Sequence, residues 1–114
     1  MITSEEKSIL LKEISQILKE VRGAGPKTHS LKEIDNELHV IITGTLTPSE
    51  MYLFSTYGQE YIDTVYKFYY DSLERAVKRL DDALNNKYNF KLIRWEPDFT
   101  QNRMNYVLSI NNKV

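Results

Sequence analysis

The chain contains no cysteine. Disulfides, thiolate catalysis and cysteine-based zinc sites are therefore excluded, and a reducing compartment is the simpler expectation. It has no excess charge of either sign: 15 Lys and Arg face 16 Asp and Glu, a net charge of −1. A dedicated nucleic-acid surface needs a clustered basic face. Here the basic residues between Arg75 and Arg94 are interleaved with Glu and Asp. They read as a solvated helix face, with a polyanion site as the lesser alternative. No apolar run approaches the ~20 residues that span a bilayer. The start, Met1-Ile2-Thr3-Ser4-Glu5-Glu6, is polar and acidic and does not read as a secretory signal. The expected location is cytoplasmic, with room for docking on a membrane-protein partner. Direct membrane insertion is not expected.

What is present is a globular balance over 114 residues, 41% hydrophobic and 27% charged, enough for one domain, 1–114. Thr3 and Glu6 form a capping-box pattern at the head of a helix over 3–22. Leu10, Ile14, Ile17, Leu18 and Val21 recur on one face at helical spacing. Gly23, Gly25 and Pro26 end it. Residues 28–46 read as a hairpin turning at Asp35-Asn36, types that tolerate positive φ. That turn pairs Ile34 with Glu37, Leu31 with Val40 and His29 with Ile42. One face carries Leu31, Leu38, Val40 and Ile42; the other carries Ser30, Lys32, His39, Ile41 and Thr43. The first strand alternates weakly and reads as an edge. Gly44 marks a bulge or a close helix crossing.

The dominant element begins at Thr47-Pro48-Ser49-Glu50 and runs to about Asn86. Thr can cap, Pro is free at the first helical position, and Glu can reach back to the cap. Gly58 lies inside the pattern as a kink or break. Beyond it, Ile62, Tyr66, Tyr69, Leu73, Ala76, Leu80 and Ala83 follow the four-and-three spacing of a packed seam. A straight helix over Gln59–Asn86 would be about 42 Å long. A compact chain of this size is only about 34 Å across. Either the helix bends or a partner covers the excess. Six of the eight tyrosines lie between Tyr52 and Tyr70, too many for one narrow stripe. Core packing plus self-association is the favoured reading, with Tyr57, Tyr61, Tyr66, Tyr69 and Tyr70 as the candidate contact residues and a homodimer as the product. A stacking platform for an aromatic ligand and a dock for a membrane protein are the alternatives. Residues 90–95 and 104–110 read as the last two strands, joined by a connection that starts at Glu96-Pro97-Asp98, where Pro97 fits a turn or a strand end. The order is α-β-β-α-β-β: an α+β domain with a four-stranded antiparallel sheet, helices on one face, and one long helix.

Candidate chemistry is sparse. His29 and His39 point to opposite faces of the hairpin and cannot share a metal there. The Arg22–Lys27 turn is glycine-rich and basic, but it follows a helix and lacks the spacing of a phosphate-binding loop. Its bland reading is a helix stop. Its functional reading is an anion pocket formed by Arg22, Gly25, Lys27 and Thr47, with the start of the Thr47 helix, in a small-anion or small-ligand sensor. Asp81 and Asp82 diverge on a helix. Asp98 reads as an Asx-type turn residue. No Ser or Thr has the setting of a nucleophile elbow. An enzyme is not expected, and no cofactor is implied.

The landmarks together resemble the MpsC-like family of small bacterial proteins. They are Gly23-x-Gly25-Pro26-Lys27, the strand Leu38–Leu46 leading into Leu46-Thr47-Pro48-x-Glu50, Leu53, Gly58-x-Glu60-x-Ile62, and a last hairpin with Asp98. The resemblance covers about Leu18 to Ile110. Ala24 stands where members usually carry Arg between the glycines. The family takes its name from a proposed Na⁺-translocating, membrane-potential-generating system that couples cation and bicarbonate handling. The resemblance implies an accessory or regulatory component rather than the ion-conducting part, and a membrane ion-transport component as partner.

Overall fold

The computed structural model describes residues 2–22, 25–44 and 46–112; the side chains at 22, 65, 66, 68, 69, 99 and 112 lie outside that description. Helix α1 is Ser4–Arg22. Its capping box is formed: the Thr3 N–H donates to Glu6 Oε1 at 2.9 Å, and the Glu6 N–H donates to Thr3 Oγ1 at 3.1 Å. Leu10, Ile14, Ile17 and Leu18 are buried along one face, as the spacing predicts. Strands β1 (Thr28–Ile34) and β2 (Glu37–Thr43) form the expected hairpin in the expected register, with Asp35 at φ 54° in the turn.

The single long helix is instead three. Helix α2 is Pro48–Tyr57, α3 is Gln59–Ala76 and α4 is Lys78–Ala83. The first break is Gly58, at φ 60° and ψ −132°, a conformation that a side chain disfavours. The second is a tightening at Val77: its N–H still bonds the Leu73 carbonyl, but the Leu80 N–H reaches only three residues back, to Val77. Beyond it Leu80 and Leu84 are buried against α1 and the sheet. Asn85 and Asn86, both at positive φ, stop the chain after α4. The 18-residue α3 is about 27 Å long, shorter than the uninterrupted rod would be.

Strands β3 (Tyr88–Asp98) and β4 (Arg103–Asn112) follow, joined by a 3-10 turn over Phe99–Gln101. The sheet is antiparallel, in the order β1-β2-β4-β3. The α+β architecture, α-β-β-α-β-β with four antiparallel strands and helices, is as the sequence predicts. Glu96, Pro97 and Asp98, expected in the connection, remain paired with β4. Pro97 is tolerated there because β3 is an edge strand, where a missing N–H need not interrupt the ladder.

One face of the sheet carries Leu38, Val40 and Ile42, with Phe90, Leu92, Met104, Tyr106 and Leu108. These close against α1, α3 and α4 in one core. The other face is the open one in that no helix of the core layer lies on it; it bears Lys32, His39, Lys91, Arg94 and Asn105, with Val107 fully buried among them. The body is elongated, 48 × 24 × 22 Å.

Gly44 sits at φ 74°, and a Cβ there would run into Lys27 Cβ. The close approach expected at this glycine is therefore to the residue that leads into β1, not to a helix.

Candidate functional site

Thr47 holds the start of α2. Its hydroxyl accepts the Glu50 N–H at 3.1 Å, and Glu50 Oε1 accepts the Thr47 N–H at 3.1 Å. Leu46 is fastened to the last hairpin by Asn102: its N–H donates to Asn102 Oδ1, and its carbonyl accepts from Asn102 Nδ2. Past this anchor α2 buries no residue, and its main neighbour is α3. Tyr52 is 68% exposed and Tyr57 59%, with Met51 exposed beside them. Phe54 packs partly against the core. A helix with apolar and aromatic side chains around it, and none of them buried, lacks the covering layer that such a composition calls for.

On α3, Tyr61, Ile62 and Tyr70 are half-buried against the core, as is Trp95 of β3. Ile62, Tyr70 and Trp95 line a mostly apolar hollow of about 400 Å³, with Asp63 and Lys67 also at its wall. Trp95 stacks on Tyr106, with ring centroids 6.4 Å apart. Burial first, and then the charges of Glu74 and Asp71, push the Tyr70 phenol above its ordinary value, so it stays a neutral donor at physiological pH.

Of the tyrosines singled out from the sequence, Tyr57 is exposed at the end of α2, and Tyr61 and Tyr70 are half-buried in α3. The side chains of Tyr66 and Tyr69 lie outside the described residues. Met51 and Trp95 were not singled out. Trp95 belongs to this surface because the sheet carries it to α3, which no local spacing reveals.

The residues of the anion pocket are placed as follows. Gly25 and Lys27 are exposed, and the Lys27 N–H donates to the Thr43 carbonyl at 2.8 Å. The side chain of Arg22 lies outside the described residues, as do Gly23 and Ala24. Thr47 is committed to its cap, and a carboxylate already occupies the N-terminus of α2.

The remaining polar clusters have structural partners. On the open face Arg94 donates twice to the Glu37 carboxylate, at 3.1 and 3.2 Å, and His39 Nε2 lies 3.2 Å from it. Arg94 foremost holds the Glu37 carboxyl below its ordinary value. Asp98 accepts from the Thr100 hydroxyl at 2.6 Å and from the Gln101 N–H, the turn role predicted for it. Across the helices, Arg79 joins Glu13 at 2.8 Å and Glu20 at 2.6 Å. A core cavity of about 40 Å³ is lined by apolar surface of α1, α3, α4, Val77 and the sheet, the Tyr106 ring included. It has room for one or two waters and offers them no polar partner. Among the described residues, no group of three His, Asp or Glu is placed to hold a metal. Also among them, no helix is long and apolar enough to cross a membrane.

Compared with known protein families, residues 3–94 match the model described as Na⁺-translocating membrane potential-generating system (MpsC). No curated protein matches significantly, and no solved structure does.

Proposed function

The chain belongs to the MpsC family, and on that footing we propose a non-enzymatic accessory or regulatory component of a bacterial membrane cation- and bicarbonate-handling system. It works from the cytoplasmic side, held at the membrane through a protein partner. It self-associates as a homodimer through α2 and the adjoining surface of α3. The observation that carries this reading is α2 itself: ten residues, none buried, with Tyr52 and Tyr57 largely exposed. Aromatic residues of this kind are enriched in interface cores and supply much of their binding energy. The family description supports a membrane system as the setting. The stretch from Pro48 to Ala83 is three helices and forms no rod; the uncovered aromatic helix α2 supports assembly instead.

Two measurements test it. Light scattering at micromolar concentration is expected to give twice the chain mass, and a monomer mass rejects the homodimer. Tagged protein drawn from its native cell is expected to bring down a membrane ion-transport component. Repeated recovery without one rejects the accessory role.

A small-anion sensor built on Arg22, Gly25 and Lys27 is the second reading, without Thr47, whose hydroxyl caps α2. Exposed Lys27, which has no ion pair among the described residues, favours it. A ligand at one hundred times its dissociation constant adds about 2.7 kcal/mol of stability. Bicarbonate, phosphate and nucleotides should therefore raise the melting temperature, and Lys27→Ala should abolish the shift. No shift with any of them removes this reading.

A further inference from the structure

Strand β3 is an edge of the sheet, and cations line the stretch of its outer edge beyond the one peptide N–H that α4 already holds. The orientation of its peptide groups is fixed by two hydrogen bonds. The Phe90 N–H donates to Asp81 Oδ1 on α4, away from β4. Its cross-strand partner Ile110 donates to the Asn36 carbonyl, away from β3. Phe90 and Ile110 are therefore a non-hydrogen-bonded pair. An antiparallel residue sends both peptide groups to one side, so the Phe90 carbonyl points outward too. By the same alternation so do the peptide groups of Leu92, just before the bulge at Ile93.

Along this edge runs a groove of about 500 Å³. Its floor is Phe90 and Leu92. Arg75 and Lys78 border it from the helix layer and Lys91 from the strand, with Glu74 as its one acid. All three basic residues are exposed, and none has an ion pair among the described residues. Lys91 alternates away from buried Phe90 and Leu92, onto the open face of the sheet. Cations thus flank the outward peptide groups from both sides of the strand. The interleaving of acids and bases in the sequence hides this, because the fold brings Lys91 to Arg75 and Lys78.

We propose that the β3 edge accepts an extended acidic polypeptide segment as an added strand, with main-chain hydrogen bonds to the Phe90 carbonyl and to Leu92, past the Phe90 N–H that Asp81 holds, and its carboxylates met by Arg75, Lys78 and Lys91. Strand addition draws affinity from the backbone and selectivity from side chains on alternate faces. Lysines and bulges commonly guard sheet edges against pairing. Here the same cations discriminate: a second copy of this edge is repelled, while a segment of opposite charge is attracted. This inference does not depend on the accessory reading or on the α2 surface; it would hold for a monomer.

The probe is a fluorescein-labelled, acetylated octapeptide of alternating glutamate and threonine, titrated into the full chain and followed by anisotropy. A lysine–threonine octapeptide is the control. Two further glutamate peptides carry N-methyl groups on all the glutamates or on all the threonines. Saturable binding of the glutamate peptide is expected, weakening as salt rises from about 50 mM. The lysine peptide should not bind. One of the two N-methylated peptides should lose binding about tenfold or more, because its methyl groups face the edge. Of Lys78→Glu and Lys91→Glu, with unchanged circular dichroism, the one on the face that the glutamates take should weaken binding about tenfold, because alternate residues of a strand share one face. Absence of saturable binding overturns the proposal. So does equal binding of the lysine peptide, full binding by both N-methylated peptides, or indifference to both charge reversals.

Discussion

The carboxylate of Asp81 on α4 accepts the peptide N–H of Phe90 on β3 at 2.8 Å, and both residues are buried. One side chain thereby joins the helix layer to the edge of the sheet. It supplies the partner that a buried N–H at a sheet edge would otherwise lack.

Removing that acceptor isolates the N–H. Asp81→Ala is expected to lower unfolding stability by about 1–3 kcal/mol, the usual cost of a buried donor left unmade. Asp81→Asn keeps an oxygen in reach and should lose less than half as much. Urea denaturation of the three proteins checks the ranking, and equal losses would show that the hydrogen bond contributes nothing.

Acid should weaken the fold through Glu6. The Thr3 N–H foremost, with Lys87 and the Tyr88 hydroxyl, holds its carboxyl below the ordinary 4.5. A carboxyl depressed in the folded state stabilises above its unfolded value and loses that contribution as pH falls through the folded one. Stability should thus decline below roughly pH 4.5, and Glu6→Gln should flatten the decline between about pH 5 and pH 3. Chemical denaturation at a series of pH values measures both slopes. Identical slopes would exclude Glu6 as a contributor.

Gly44→Ala meets two obstacles, the left-handed backbone and Lys27. The backbone alone is expected to cost about 1–2 kcal/mol. Lys27→Gly in the same chain should relieve the steric part and leave the backbone part. Thermal melts of the single and double variants separate the two, and an unaltered midpoint for Gly44→Ala would contradict the geometry.

Tyr52 and Tyr57 should matter for association and not for folding. Replacing both by Ser is expected to change unfolding stability by less than about 0.5 kcal/mol per site when measured on the monomer at high dilution. The same variant should fail to dimerise at micromolar concentration in sedimentation velocity. A variant that still dimerises moves the interface elsewhere.

The local elements were legible because each carried its own punctuation. Thr3 with Glu6 and Thr47 with Glu50 announce helix starts whose hydrogen bonds are complete within four residues. Asp35-Asn36 sets a register that the alternation of Leu38, Val40 and Ile42 then enforces, since a one-residue slip would turn all three to solvent. The break at Val77 was not legible. Val continues the apolar seam, and the tightening there serves contacts with α1 and β3, which lie far away in sequence. Pro97 left a turn and a strand end equally open, and the pairing of β3 with β4 decided for the strand end.

The candidate surfaces divide along the same line. A run of tyrosines and phenylalanines is visible in the chain, and its excess over one helical stripe follows from counting. Which rings are covered depends on what the sheet brings alongside, as Trp95 does for Ile62 and Tyr70. The basic groove is wholly a product of folding, because Arg75 and Lys91 meet only when β3 returns past the end of α3. Periodicity acts over a few residues and so determines helices, strands and the hairpin register; the strand order, the break at Val77 and the pairing of cations with an open strand edge come from contacts between segments, whose energies no single segment contains.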